Sequence, residues 1–497
     1  MTVLGKDIAT NHPVSISADA RSRGIYVIGT TGTGKTTLLQ SIAYQDMKSG
    51  HGLCVLDAHG DMTDWLLERV PKERLQDVIL FDPSDLEFPL GLNILECNRN
   101  DPSQVRRVVD NFVSSLGRIF ELSWGPRLEH VLSHTLWTAM TIRDSTILEV
   151  LLLLTDTDYR VKHTKDLQEP LLKNFWKEFP DDRARRQQFE LIGSTVNKLT
   201  PFLLDRQMRN IVGQSKSSLN LRHVMDEQKI LLVNLSKGDL GENNSALLGT
   251  FLINMILVAA LSRRDMTLQQ RQAKPFHVIV DEYQNFASQS FSTLQSEARK
   301  YAVDLVVAHQ FRDQLLFENK GAALNVGNFV SFRTTGVDGL ELSSQFDNTP
   351  PEADPTWEPI RVSSEQWPGY FERGKIDQQV PGHQRPYSDV MMQTANELTN
   401  LYPYRAKVKV IIDDEALGRP RLQEYVVDTW DSRDKEFAST YYGTPLSTSA
   451  KRIREQSRLL ARPRAEVDTE ITERTEGAAD VNVDPGSQGI ASHEVIK

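Results

Sequence analysis

The run Gly29-Thr30-Thr31-Gly32-Thr33-Gly34-Lys35-Thr36 satisfies the spacing GxxxxGK[ST] in full. Glycines at 29, 32 and 34 let the backbone curl so that successive N–H groups point inward at phosphate oxygens. A helix starting here adds its N-terminal dipole to the same anion. Lys35 is placed to bridge the β- and γ-phosphates, Thr36 offers a hydroxyl to Mg²⁺, and Thr37 is counted with the same nucleotide-binding turn. A second run, Phe276-His277-Val278-Ile279-Val280-Asp281-Glu282, is largely apolar until it ends in two adjacent carboxylates. Asp281 is expected to hold Mg²⁺, and Glu282, one residue further into the turn, to orient and deprotonate an attacking water.

Three further positions follow apolar runs, where strand ends in a parallel sheet collect ligands. Gln310 reads either as a sensor of the γ-phosphate or as an amide capping the next helix. Arg333 reads either as an arginine finger reaching a neighbouring subunit's nucleotide or as a solvated or internally paired side chain. In Asp57-Ala58-His59-Gly60-Asp61, a nucleotide-edge or capping role fits better than a metal site.

The elements that must position these residues follow from periodicity. Ile25 to Ile28 reads as a strand, then the Gly/Thr turn, then a helix over Leu38 to Met47. Leu53–Leu56 and Val78–Phe81 read as buried strands that each end at an aspartate. From about Asp101 to Glu227 the periods are helical, with Val105, Val108, Val109, Phe112, Val113 and Leu116 on one face. Strands resume at Lys229–Leu235, Phe276–Val280, Asp304–Ala308 and Phe329–Phe332, and Arg405–Ile412 with Gln423–Val427 reads as a closing pair. Asn348 to Gln384 reads as a long loop or excursion. Lys451 to Arg464 reads as a basic helix, available to DNA or an acidic partner or simply solvated, and the remainder as an aperiodic acidic tail without fixed structure.

A chain of 497 residues predicts more than one domain, and 39% hydrophobic with 25% charged residues is a globular composition. The formal charge of -10 argues against a uniformly DNA-attracting surface but leaves room for a local basic channel. Two cysteines, Cys54 and Cys97, make no disulfide framework and fit a reducing cytoplasm. The first twenty residues lack the basic start and apolar run of a signal peptide. The apolar stretch Leu247 to Leu261 is shorter than a membrane span and reads as a buried helix.

Several blocks together resemble one family: the phosphate-binding turn, Asp57-Ala58-His59-Gly60-Asp61, Gly91-Leu92-Asn93, Trp124-Gly125-Pro126-Arg127-Leu128-Glu129, Asp281-Glu282-Tyr283-Gln284-Asn285-Phe286, Glu297-Ala298-Arg299-Lys300-Tyr301, Ala308-His309-Gln310, and Asn328 to Arg333. The chain resembles the HerA/FtsK-type pumping ATPases, in particular the soluble ATPase part of type IV secretion coupling proteins of the conjugative DNA-transfer group. The resemblance implies a RecA-like P-loop core with a mostly parallel α/β sheet and an inserted all-helical domain. On it we expect residues 1–100 and 228–430 to form the nucleotide-binding domain, 101–227 the helical insertion, and 431–497 a helix and tail. It further implies ATP with Mg²⁺, a hexameric homo-oligomer, DNA driven through a central pore, Gln310 as strand-end sensor and Arg333 as a finger acting in trans.

Coupling proteins of this group usually carry transmembrane helices before the phosphate-binding turn, whereas 28 residues precede Gly29 here. The expectation is therefore a cytoplasmic chain without a transmembrane segment of its own, attached to the membrane, if at all, through a partner such as a relaxosome-type protein. Alternatives from other classes are a cytoplasmic HerA-like DNA motor in defence or DNA processing, an ATP-switched platform recruiting secreted proteins, and a small-molecule kinase. The long helical insertion and the lack of an acceptor-site motif weigh against the kinase.

Overall fold

The computed structural model describes residues 1–497 except 181–184, 287–288, 316, 349–355, 361–375, 381–385, 415–418, 431–433 and 477–497. The strands, in chain order, are β1 (Thr2–Asp7), β2 (Pro13–Ile16), β3 (Ile25–Ile28), β4 (Gly52–Asp57), β5 (Val78–Phe81) and β6 (Ile230–Asn234). They continue with β7 (Phe276–Val280), β8 (Val303–His309), β9 (Asn328–Ser331), β10 (Thr356–Ile360), β11 (Ile376–Val380), β12 (Arg405–Asp414) and β13 (Arg419–Asp428). All but β10 and β11 join one 11-stranded sheet in the order β2-β1-β13-β12-β9-β3-β8-β7-β4-β6-β5. From β9 to β5 the neighbours are parallel, and the flank from β9 through β12, β13 and β1 to β2 is antiparallel.

The parallel strands are buried and largely apolar because both of their faces are covered, with polar residues near their ends. Alternate residues feed two separate cores: Tyr26, Ile28, Cys54, Leu56, Val278 and Val280 lie in one, and Ile25, Val27, Leu53, Val55 and Ile279 in the other. The first core contains helix Glu242–Ser262 and the helices that follow β5; the second packs on helix Lys35–Lys48. Helix Glu242–Ser262 is long and apolar enough to cross a membrane, yet 72% of its apolar window is buried inside this fold. Between β5 and β6 the described residues form helices and turns, beginning with Pro102–Ile119, which Asp101 caps and Pro102 starts.

The structure departs from the sequence reading in three places. Strands β1 and β2 were not expected; Thr2–Asp7 contains Gly5 and two charges, and it becomes a strand by pairing with β13 and β2. The stretch Asn348 to Gln384, read as a loop, contains the antiparallel pair β10–β11, the rest of it lying mostly outside the described residues. The basic helix is two helices, Ser449–Arg458 and Arg464–Glu476, so part of the expected tail is ordered. Its cations are used internally: Arg454 pairs with Asp64 and Asp82, Arg458 with Asp85, Arg464 with Glu87. Helix Ser449–Arg458 packs along the sheet edge, where Ser457 Oγ accepts the N–H of Leu80 at 2.9 Å and closes β5. The remainder of the expected acidic tail, 477–497, lies outside the described residues.

Candidate functional site

The parallel order brings the carboxyl ends of β9, β3, β8, β7 and β4 side by side, with Ile28 level with His309 and Ser331, and Val280 level with Val307 and Leu56. One sheet edge thus collects Arg333, the 29–36 turn, Gln310, Asp281 with Glu282, and Asp57 with His59. The turn wraps as its glycines permit: Gly32 and Gly34 sit at φ +75° and +111°, and Gly34 precedes the helix Lys35–Lys48. Thr30 N–H donates to the Arg333 carbonyl at 2.8 Å, and Thr33 Oγ1 donates to the Thr30 carbonyl at 2.7 Å. Lys35 is buried and its Nζ donates to the Thr30 carbonyl at 3.2 Å. Burial lowers its pKa, while Glu282 and Asp281 act in the opposite direction. Thr37 is half-buried on the first turn of the helix.

The two halves separated by some 245 residues meet directly: Thr36 Oγ1 donates to Asp281 Oδ2 at 2.8 Å. Asp281 is pushed up to about 6, first by burial and then by the charges of Glu282 and Asp57, against the Thr36 hydrogen bond. A buried carboxylate next to a hydroxyl, short of positive charge, is a hard-oxygen donor set that fits Mg²⁺. Glu282 adopts φ +52°, ψ +49°, a left-handed backbone uncommon for a non-glycine residue. Its side chain is held on both oxygens: Gln310 Nε2 donates to Oε1 at 2.9 Å, and Gln284 Nε2 donates to Oε2. Gln310 Oε1 in turn accepts from Thr31 Oγ1 at 2.9 Å, joining the strand end to the glycine-rich turn.

Arg333 is exposed, with no ion-pair or hydrogen-bond partner for its guanidinium among the described residues. Asp57 accepts the N–H of His59 and of Thr63 at 3.0 and 2.8 Å, so it caps the helix Asp61–Leu67. His59 Nε2 lies 3.9 Å from Glu282 Oε1. Among the described residues the single group with metal-ligand spacing is Asp46, His51 and His277, which excludes His59. Gln284 carries no signal of its own in the block Asp281-Glu282-Tyr283-Gln284-Asn285-Phe286; only the fold turns its amide back onto Glu282.

A mostly parallel sheet with a glycine-rich turn between β3 and its helix, and an acid pair ending a neighbouring strand, defines a RecA-like P-loop nucleotide-binding fold. Residues 2–256, slightly more than half of the chain, match the family described as Helicase HerA, central domain, and the chain belongs to that family. Its structure is similar to the bacterial conjugative coupling protein TrwBdeltaN70 in unbound form, with TM-score 0.55 and 14% identity, covering 86% of this chain and 89% of that one. TrwB in complex with ADP and Mg²⁺ matches with TM-score 0.53 and 14% identity over 87% and 91%. VirB4 of Thermoanaerobacter pseudethanolicus matches with TM-score 0.50 and 12% identity over 87% and 96%. A search of curated protein sequences finds no match.

Proposed function

We propose that this chain is an ATPase that couples hydrolysis to the movement of DNA, acting as a ring-shaped homo-oligomer of the hexameric kind. The observation that carries the ATPase reading is the Thr36–Asp281 hydrogen bond with Glu282 beside it, which unites phosphate grip, cation seat and general base at one sheet edge. The DNA reading is supported by membership of the HerA central-domain family and by likeness to a conjugative coupling protein.

In this reading the N–H groups of residues 29–36 and the Lys35 ammonium bind the β- and γ-phosphates of ATP, with Thr37 in the same turn. Thr36 and Asp281 would hold Mg²⁺, which supplies charge neutralisation on the phosphates. Glu282 accepts a proton from the attacking water, and Gln310, bonded to both Thr31 and Glu282, reports the γ-phosphate to the general base. Arg333, exposed at the same edge and without a partner for its guanidinium among the described residues, reaches the nucleotide of the next subunit in the ring.

Hydrolysis measured with and without single- and double-stranded DNA tests the reading. The rate rises with DNA, and DNA affinity falls steeply with added salt as phosphate-bound counterions are released. Equal rates in all conditions, together with no DNA binding at low salt, would remove the DNA half of the proposal and leave the ATPase.

A further inference from the structure

Glu282 is the base of the ATPase reading above, and what holds it reaches beyond the sheet. Its Oε1 is bound by Gln310, the residue just after β8, and its Oε2 by Gln284 from the turn that follows β7. The backbone carbonyl of that same Gln284 accepts a hydrogen bond of 2.6 Å from Arg118 Nη2. Arg118 stands in the last turn of Pro102–Ile119, the first helix after β5, far from Glu282 in sequence.

Arg118 has a firm base. Its helix is seated on helix Glu242–Ser262 by the stacked rings of Phe112 and Phe251, 5.3 Å apart, and by Asn254 Nδ2 donating to Ser115 Oγ at 2.7 Å. The turn it grips is also held from below, where Lys237 Nζ donates to Asn285 Oδ1 at 2.9 Å and Phe286 packs against Gly249. Yet the guanidinium itself is poorly compensated. Burial lowers its pKa, with Tyr283 and Glu121 opposing, and its buried Nη1 has no hydrogen-bond partner among the described residues. A buried, half-satisfied cation costs stability, and such costs persist where geometry serves another end. The strained backbone of Glu282, one residue before the gripped turn, points the same way.

We infer that Arg118 and Gln284 are positioning residues for hydrolysis, through which the helical segment after β5 sets the orientation of the Glu282 carboxylate.

The inference rests on the ATPase reading, and the experiment separates the two. Steady-state ATP hydrolysis and Mg²⁺-nucleotide affinity are measured on the full chain for wild type, Glu282→Gln, Arg118→Ala, Arg118→Lys, Gln284→Ala and the Arg118→Ala/Gln284→Ala double variant. Arg118→Ala and Gln284→Ala each lower kcat by about ten- to a hundredfold, with KM and nucleotide affinity unchanged. The double variant is no slower than the worse single one, because both break one chain of contacts. Arg118→Lys, which can still reach a carbonyl, retains most of the rate. Wild type that does not hydrolyse ATP overturns the ATPase reading and this inference together. Active wild type with kcat unchanged in Gln284→Ala, or with losses that multiply in the double variant, overturns the inference alone. A fall in melting temperature of Arg118→Ala that accounts for its loss, while Gln284→Ala is fully active, assigns Arg118 to stability and equally overturns it.

Discussion

Lys35 and Thr36 are consecutive, yet they face different partners: Lys35 turns its ammonium back to the Thr30 carbonyl, and Thr36 turns its hydroxyl to Asp281. Their substitution should therefore fail differently from that of the base. Lys35→Ala is expected to abolish turnover and weaken nucleotide binding, whereas Glu282→Gln keeps binding and loses at least ~100-fold in kcat; equilibrium binding of a fluorescent nucleotide beside a turnover assay distinguishes them. Arg333 makes a sharper test. Arg333→Ala alone should be inactive, and mixing it with Lys35→Ala should restore part of the rate, since a mixed interface unites an intact site with an intact finger. Absence of any recovery in mixtures that still co-assemble would restrict Arg333 to its own subunit.

Among elements, the turn after β7 is held from several sides. Phe286 is buried against helix Glu242–Ser262 at Gly249, where an added Cβ would fall 2.3 Å from two ring carbons. Gly249→Ala should therefore displace Phe286, cost ~1–3 kcal/mol of stability, and lower hydrolysis by moving Glu282. Denaturant melts and kcat measured on the same preparation check this, and a fully stable, fully active variant would contradict it. The C-terminal helices act at this scale too. Arg474 binds the Gly213 carbonyl at 2.8 Å and the Glu149 carboxylate, and Glu470 accepts the Ser215 N–H at 3.0 Å, so helix Arg464–Glu476 straps the helical segment after β5.

Across the whole molecule, the sheet edge opposite the nucleotide site holds a buried charge network. Arg21 bonds Asp46 at 2.8 Å and Asp304 at 3.1 Å; His277 Nδ1 bonds Asp304 at 2.7 Å, and its Nε2 lies 3.9 Å from Asp46. Burial alone would lower the pKa of His277, but Asp304 and Asp46 outweigh it and raise the pKa above its ordinary 6.5. A group with a raised folded value contributes stability fully below about pH 6.5, and that contribution is lost as pH rises through the folded value. His277→Gln should thus cost about 3 kcal/mol in mildly acidic buffer and progressively less at alkaline pH. Thermal melts of both proteins across this range test it; a pH-independent difference would mean that His277 is not charged in the fold.

The sequence by itself determined the glycine-rich turn, the acid pair and the strands that carry them, because glycine spacing and largely apolar runs are local signals needing no partner. Asp281 and Thr36 could be matched in type, but their 2.8 Å contact depends on strand order, which periodicity does not encode. The choice left open at Asp57 was decided by the turn and helix that follow it, and the one in the basic stretch by neighbours distant in sequence. Asp57, at the end of β4, accepts the N–H of Thr63 in the next helix, and Arg454 and Arg458 found acids beside β5. Gln284 and Arg118 were beyond sequence reading, since an amide or a guanidinium is unremarkable until folding buries it. Tertiary structure decides these cases because hydrogen bonds and ion pairs act over a few ångströms of space, however many residues lie between the groups they join.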